Sequence, residues 1–472
     1  MAQAIDAQGM LGIERRAIDH IPEEERHGSA RSQFTLWFGT NIQITALVDG
    51  ALAVVFGADA LWAIIGLLLG NVLGGIVMAL HSAQGPGLGL PQMISSRAQF
   101  GVYGAVLPLV LVILMYVGFA ATGTVLAGQA TSLMLGLDSP NPGIVIFGAL
   151  TAVVAIMGYR LIHVVGRIST VVGGVGFVYL FVRLLSTHDL GGVFDSHAFD
   201  ITTFLLAVSL SAGWQLTFGP YVADYSRYLP STTPRRAVFG ATFLGSVLGA
   251  QVAMTLGVLI AAVAGGEFLA NQVRYLGDLA GPTAIAGVIY GVIMLGKLTA
   301  NTLNAYGGFM CGLTIVSAFT GTGEVSRRVR IAVITALMTA AVVVALAASP
   351  DFLSNFKNFV LLILMVFTPW SAINLADYYL VSKERFDIPA LYDPDGRYRR
   401  WNGPALTSYA IGVVAQIPFL AQTLYTGPAA EALDGTDISW IVGLVVTTVV
   451  YLPWALRTRP PTAVADRQEI SA

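Results

Sequence analysis

Long apolar runs separated by short polar joints dominate the chain from residue 34 onward. A hydrocarbon core of about 30 Å takes about 20 apolar residues of helix to cross. Runs of that kind fall near residues 34–56, 60–80, 104–135, 143–158, 161–185 and 203–222, and again near 238–264, 283–317, 330–347, 358–380, 405–424 and 438–456. Each is apolar nearly all round, as helices facing lipid or buried in a bundle are, rather than amphipathic. The pattern predicts an all-α polytopic membrane protein with about twelve transmembrane helices. No joint is long enough to hold a soluble domain.

Composition agrees. Hydrophobic residues make up 55% of the 472 and charged residues 11%, where a soluble domain carries about a quarter charged. A formal net charge of −2 lacks the basic footprint of a phosphate binder, so no nucleic-acid partner is expected. Cys311, the one cysteine, sits in an apolar stretch and allows neither an intramolecular disulfide nor a thiol metal cluster. The six histidines are scattered, and no Ser/His, His/Glu or Cys/His pairing falls at a useful spacing. An integral-membrane enzyme is therefore the weaker reading, and so is a channel, since no ring of pore-lining charges appears. No cofactor and no obligate protein partner are expected. The first thirty residues carry acids and bases around no apolar core, so no cleavable signal peptide is expected.

Basic residues set the expected orientation. With the N-terminus placed in the cytoplasm, 21 of the 25 lysines and arginines fall on the inner side, three (Arg183, Arg274 and Lys357) on the outer, and Lys297 within a helix. So lopsided a distribution follows the positive-inside rule and puts both termini in the cytoplasm, with the chain in a plasma (inner) membrane.

Two of the runs carry polar residues and glycines at mid-depth. The first holds Asn41, Gln43, Thr45, Asp49 and Gly50. The sixth holds Ser211, Gly213, Trp214, Gln215, Gly219 and Pro220. Broken helices survive in hydrocarbon only where they line a cavity. Transporters place such breaks in corresponding helices of two inverted repeats, here five helices apart.

Four segments then carry a family resemblance: QGPGLGLPQMISSRAQFGVYG at 84–104, SAGWQLTFGPYVADYSRYLP at 211–230, NTLNAYGG at 301–308, and DYYLVSKERFDIPALYDPDGRYRRWNG at 377–403. In that order, and with Ile21-Pro22-Glu23-Glu24-Glu25-Arg26 before them, they resemble the nucleobase–cation symporters, in the branch of purine–cytosine permeases and hydantoin carriers. The glycines of the first segment join two membrane helices, so they are not a dinucleotide fingerprint. The resemblance implies the five-plus-five inverted-repeat fold of the leucine-transporter type, with helices 1 and 6 broken. It divides the chain into a tail (1–33), a first repeat (34–185), a second repeat (203–380), a cytoplasmic loop (381–404), two added helices (405–456) and a second tail (457–472). It also implies ion-coupled import of a flat heterocycle, with hydantoin, allantoin or a vitamin ring as alternatives to a nucleobase.

The residues that would hold the ring follow from the same resemblance. Gln43 matches the helix 1 glutamine that hydrogen-bonds substrate, and an amide offers both donor and acceptor to a heterocycle edge. Trp214, with Gly213 beside it, matches the aromatic of helix 6 that stacks on the ring. Phe119, in a Gly118-Phe119 pair, stands where the family usually has a second tryptophan, and Gly123 where many relatives carry an amide. Asn304 matches the asparagine of helix 8, and Asn301 and Lys297 share nearly the same helical face.

For the ion, the carbonyls of a sodium site map to Gly39, Ile42 and Leu295 and one hydroxyl to Thr299, while Leu298 has no oxygen to supply the other. Such a site is weak, and the charge of Lys297 two residues away is suited to standing in for the cation. Coupling is to protons or sodium, with Asp49 and Lys297 as candidate titrating groups. Asp49 is alternatively a cap on a resumed half-helix beginning Asp49-Gly50-Ala51-Leu52. Asp224 and Asp377 read as structural groups near the inner surface, and Pro369 as a kink in helix 10.

Overall fold

A computed structural model describes residues 19–157, 159–195, 198–321, 326–423 and 425–458. Arg15, Arg16, Arg459 and Arg467 lie outside them, as do the side chains of Arg160 and Arg167.

The helices that position the site begin with α1 (Ala30–Asn41) and α2 (Ile44–Val55), which are bent by 60° at the residues between them. They continue with α3 (Ala60–Ser82), α4 (Gln92–Phe100), α5 (Val106–Met134), α6 (Pro140–Met157), α7 (Tyr159–Thr187) and α8 (Ile201–Leu216). After the short α9 (Ala223–Ser226) come α10 (Arg235–Ala264), α11 (Gln272–Ala280), α12 (Thr283–Thr320), α13 (Arg327–Ala348) and α14 (Phe352–Leu375). The chain closes on α15 (Gly403–Gln416) and α16 (Ser439–Thr458).

Among the described residues seven stretches are long and apolar enough to cross a membrane, and the bent α1–α2 pair makes an eighth. Shorter apolar helices at Val171–Thr187 and Ile201–Leu216 occupy two more of the expected runs. The chain is thus an all-α polytopic membrane protein, but length and composition do not by themselves yield the full twelve. The run expected over 405–424 is cut short. Its helix ends at Gln416, because Pro418 has no N–H to continue it, and a two-stranded hairpin, Ala421–Gln422 with Tyr425–Thr426, follows.

Both expected breaks are present. At the first, Gln43 is fully extended (φ −151°, ψ 158°) between α1 and α2. At the second, α8 stops at Leu216 and residues 217–222 turn before α9, at a point where Pro220 cannot donate to a helix. Asp200 caps α8, and the backbone N–H of Thr203 holds its carboxyl below the usual carboxylate range.

Glycines set how closely the helices pack. Gly66, Gly70 and Gly74, four residues apart on α3, lie against the backbone of Phe204, Val208 and Ala212 on α8. Gly245, Gly249 and Gly257 of α10 meet the backbone of Phe34, Phe38 and Leu47 in the same way. Small residues let backbones approach where lipid offers no hydrophobic drive to association. One packed group therefore comprises α1, α2, α3, α8 and α10, and a second comprises α5, α6, α12 and α13.

Candidate functional site

A cavity of 1270 Å³ runs between the two groups. At the end where the described chain begins it is open, since Glu25, His27, Gly28, Ser32 and Thr35 line it and are exposed. Its far end is closed by buried Leu180, Leu276 and Ile289. That closure is held by α11, whose Leu279 and Ala280 carbonyls accept from Arg183 Nε (3.2 Å) and Tyr179 Oη (2.7 Å) on α7. Tyr275 Oη shares a further hydrogen bond with His188 Nε2 at 3.4 Å.

Both helix breaks reach the cavity wall. Gln43 lines it, with Nε2 donating to the Thr40 carbonyl (2.9 Å) and Oε1 accepting from Lys297 Nζ (2.7 Å). Lys297 is 4% exposed and donates also to Thr45 Oγ1. Trp214, in the last turn of α8, is 2% exposed and its indole N–H donates to Asn41 Oδ1 at 2.6 Å. Asn41 is held in turn by donating to the Trp37 carbonyl (2.7 Å) and Ser246 Oγ (3.1 Å). Phe119 meets Trp214 edge-on, with centroids 5.9 Å apart and planes at 88°. Asn304 lines the opposite wall and has no hydrogen-bond partner among the described residues. Gln43, Phe119, Trp214, Lys297 and Asn304 therefore share one cavity.

Gly213 and Asn301, expected at the substrate, face elsewhere. A side chain at Gly213 would meet Val360 and Leu364 of α14. Asn301 is buried against α5, where Nδ2 donates to the Ala120 carbonyl (2.9 Å) and Thr124 Oγ1 (3.0 Å). A Cβ on Gly123 would lie 2.2 Å from Asn301 Oδ1, so glycine at 123 is what lets the asparagine seat there.

Of the ion-site positions, Gly39, Ile42 and Thr299 line the cavity and Leu295 does not. The Thr299, Leu295 and Gly39 oxygens are engaged with one another or with backbone. Thr299 Oγ1 donates to the Leu295 carbonyl (3.1 Å), and the Gly39 carbonyl accepts from Ile42 N–H (3.3 Å). With Leu298 supplying none, this donor set does not fit a hard cation that wants several free oxygens.

Asp49 does not cap the resumed helix. That helix begins at Ile44, which puts Asp49 in its second turn, fully buried, with neither carboxylate oxygen partnered among the described residues. Asp224 accepts from the Gln92 N–H at the start of α4 (2.7 Å), and Asp377 accepts from Ser382 and Tyr451 (2.7 and 2.6 Å). Pro369 lies inside α14 and Cys311 lines the cavity. The aromatic run from mouth to site (Trp37, Tyr116, Phe218, Tyr221, Tyr225) and the Asn41 brace were not picked out by the sequence reading. Asn41 did offer a signal, as an amide one turn after Trp37 and next to the break.

The model of a family described as permeases for cytosine/purines, uracil, thiamine and allantoin matches residues 20–443. A Bacillus subtilis protein, YxlA, whose name assigns it provisionally to the purine–cytosine permeases, is 38% identical over 93% of this chain and 95% of its own. The purine-cytosine permease fcyB of Emericella nidulans is 26% identical over 94% of this chain and 88% of its own. Among solved structures, the inward-facing conformation of Mhp1 superposes with a TM-score of 0.74 at 20% identity, covering 94% of each chain. Mhp1 closed around bromovinylhydantoin, described as a nucleobase-cation-symport-1 family transporter, gives 0.70 at 19% identity over 95% of this chain and 97% of that one. At that identity the likeness carries the fold, which is of the leucine-transporter type.

Proposed function

The chain belongs to the family of permeases for cytosine/purines, uracil, thiamine and allantoin, and on that premise we propose that it is a secondary active transporter importing a nucleobase by alternating access. The observation that carries this is the one-ended cavity at the two helix breaks, where an amide (Gln43), two perpendicular rings (Phe119 and Trp214) and a second amide (Asn304) converge. A planar heterocycle can stack on one ring while meeting the other edge-on, and stacking on an aromatic is worth about 1–3 kcal/mol. The amides then read its polar edge.

We take the basic end of the bundle as cytoplasmic, so that this state is open inward. The group α1, α2, α3, α8 and α10 would move against α5, α6, α12 and α13 about the fixed site. The poor oxygen set at Gly39, Ile42, Leu295 and Thr299 favours proton coupling over sodium, with Asp49 and Lys297 as the candidate titrating groups. No covalent step is involved.

Uptake of radiolabelled cytosine into proteoliposomes tests this, with purines, pyrimidines, hydantoin and allantoin as competitors and a pH or sodium gradient imposed. Saturable uptake, blocked by nucleobases and driven by the pH gradient without sodium, is expected. Inhibition by hydantoin or allantoin alone would move the assignment to those rings, and strict sodium dependence would overturn the coupling.

A further inference from the structure

We propose that Lys297 is a substrate-reading residue that selects heterocycles presenting a ring nitrogen and a carbonyl oxygen side by side, both as hydrogen-bond acceptors. The proposal rests on the ring-carrier reading above and deepens it by naming the edge that the site recognises.

An ammonium has three N–H donors and no acceptor. Two of those on Lys297 go to Gln43 Oε1 and Thr45 Oγ1, and the third has no acceptor among the described residues. Gln43 is changed by this contact. Its oxygen is engaged by Lys297 and one N–H by the Thr40 carbonyl, which leaves its other N–H for a ligand. The Trp214 N–H is spent on Asn41. At the Lys297 end, then, the wall offers two donors side by side, one from an ammonium that no carboxylate pairs among the described residues. A buried charge so placed is costly unless something completes its shell. Adjacent acceptors on a ring do so, as when lysine or arginine binds the N7/O6 pair of guanine. Cytosine offers such a pair at N3/O2 and hypoxanthine at N7/O6. Adenine sets an amino donor beside each corresponding nitrogen and would point N–H at N–H.

The test uses the purified protein in detergent and equilibrium binding of cytosine and hypoxanthine. Each is compared with an analogue in which C–H replaces the acceptor nitrogen, 3-deazacytosine and 7-deazahypoxanthine. Whichever parent binds should do so about tenfold or more tightly than its deaza partner and, for the purine, than adenine. In Lys297→Met the parent should fall to the level of its partner, and Lys297→Arg should restore part of the gap. This crossing of ligand change with residue change isolates the one contact. Equal binding of parent and deaza analogue to the wild-type protein would overturn the proposal without any variant, and so would an undiminished gap in a folded Lys297→Met protein. If neither parent bound the wild-type protein, it is the nucleobase reading itself that would fail.

Discussion

At the scale of single residues, the stacking face of Trp214 depends on an amide that no ligand need touch. Asn41 accepts the indole N–H and is anchored by its own Nδ2 to α1 and α10. Asn41→Leu keeps the branched shape but leaves a buried N–H without an acceptor, at a cost of about 1–3 kcal/mol. Cytosine affinity is expected to fall roughly 5- to 100-fold, read by equilibrium binding, while combining Asn41→Leu with Trp214→Phe, which removes the N–H as well, should be milder than the sum of the two single changes. Amides and a tryptophan at mid-depth stood out in the chain among apolar neighbours, but their assignment to the ring, and that of Phe119, came from the family resemblance. The directions of these side chains were less legible. Asn301 and Asn304 lie on nearly one helical face, yet only Asn304 reaches the cavity. What turns Asn301 away is Gly123 on another helix, a long-range complement that no local period encodes.

Elements are held together by contacts finer than a side chain. On α10, a Cβ at Gly257 would sit 1.8 Å from the Leu47 carbonyl of α2, whereas one at Gly240 on the same helix meets nothing within 4 Å. Gly257→Ala should therefore force α2 and α10 apart at about 1–3 kcal/mol, lowering the melting temperature of the purified protein. Gly240→Ala should leave it unchanged or raise it slightly, since alanine is the better helix former. Equal effects would show that helix propensity, not packing, decides. Both helix breaks were readable from polar and glycine residues inside apolar runs, and so was the loop between α3 and α5, though not the helix α4 within it. The helix α11 was not anticipated. Its nine residues are too short to signal a span, and its role comes from contacts with α7 that are distant in sequence.

For the molecule as a whole, α11 and α7 decide which end of the cavity is shut. Tyr179→Phe removes the hydrogen bond to the Ala280 carbonyl, worth about 0.5–1.5 kcal/mol. A two-state equilibrium should then shift roughly 2- to 10-fold toward the state open at the other end. Thiol labelling of Cys311, the one cysteine and a cavity residue, reads this directly. Its modification from the open end should slow in the variant, and an unchanged rate would mean that the bond does not bias the equilibrium.

A cavity open at one end also bears on the electrical profile of the membrane. Water and ions entering the open end would carry the potential of that face inward toward Lys297, so that most of the voltage would fall across the closed end at Leu180, Leu276 and Ile289 rather than over the full hydrocarbon thickness. An elementary charge moved through the whole potential does about 2.3 kcal/mol of work per 100 mV. When the closed end opens and the opposite end closes, the steep part of the field would cross to the other side of Lys297. A lysine that barely shifts in position would then still exchange most of that energy with the membrane whenever it carries its proton, which would make the alternation voltage-dependent.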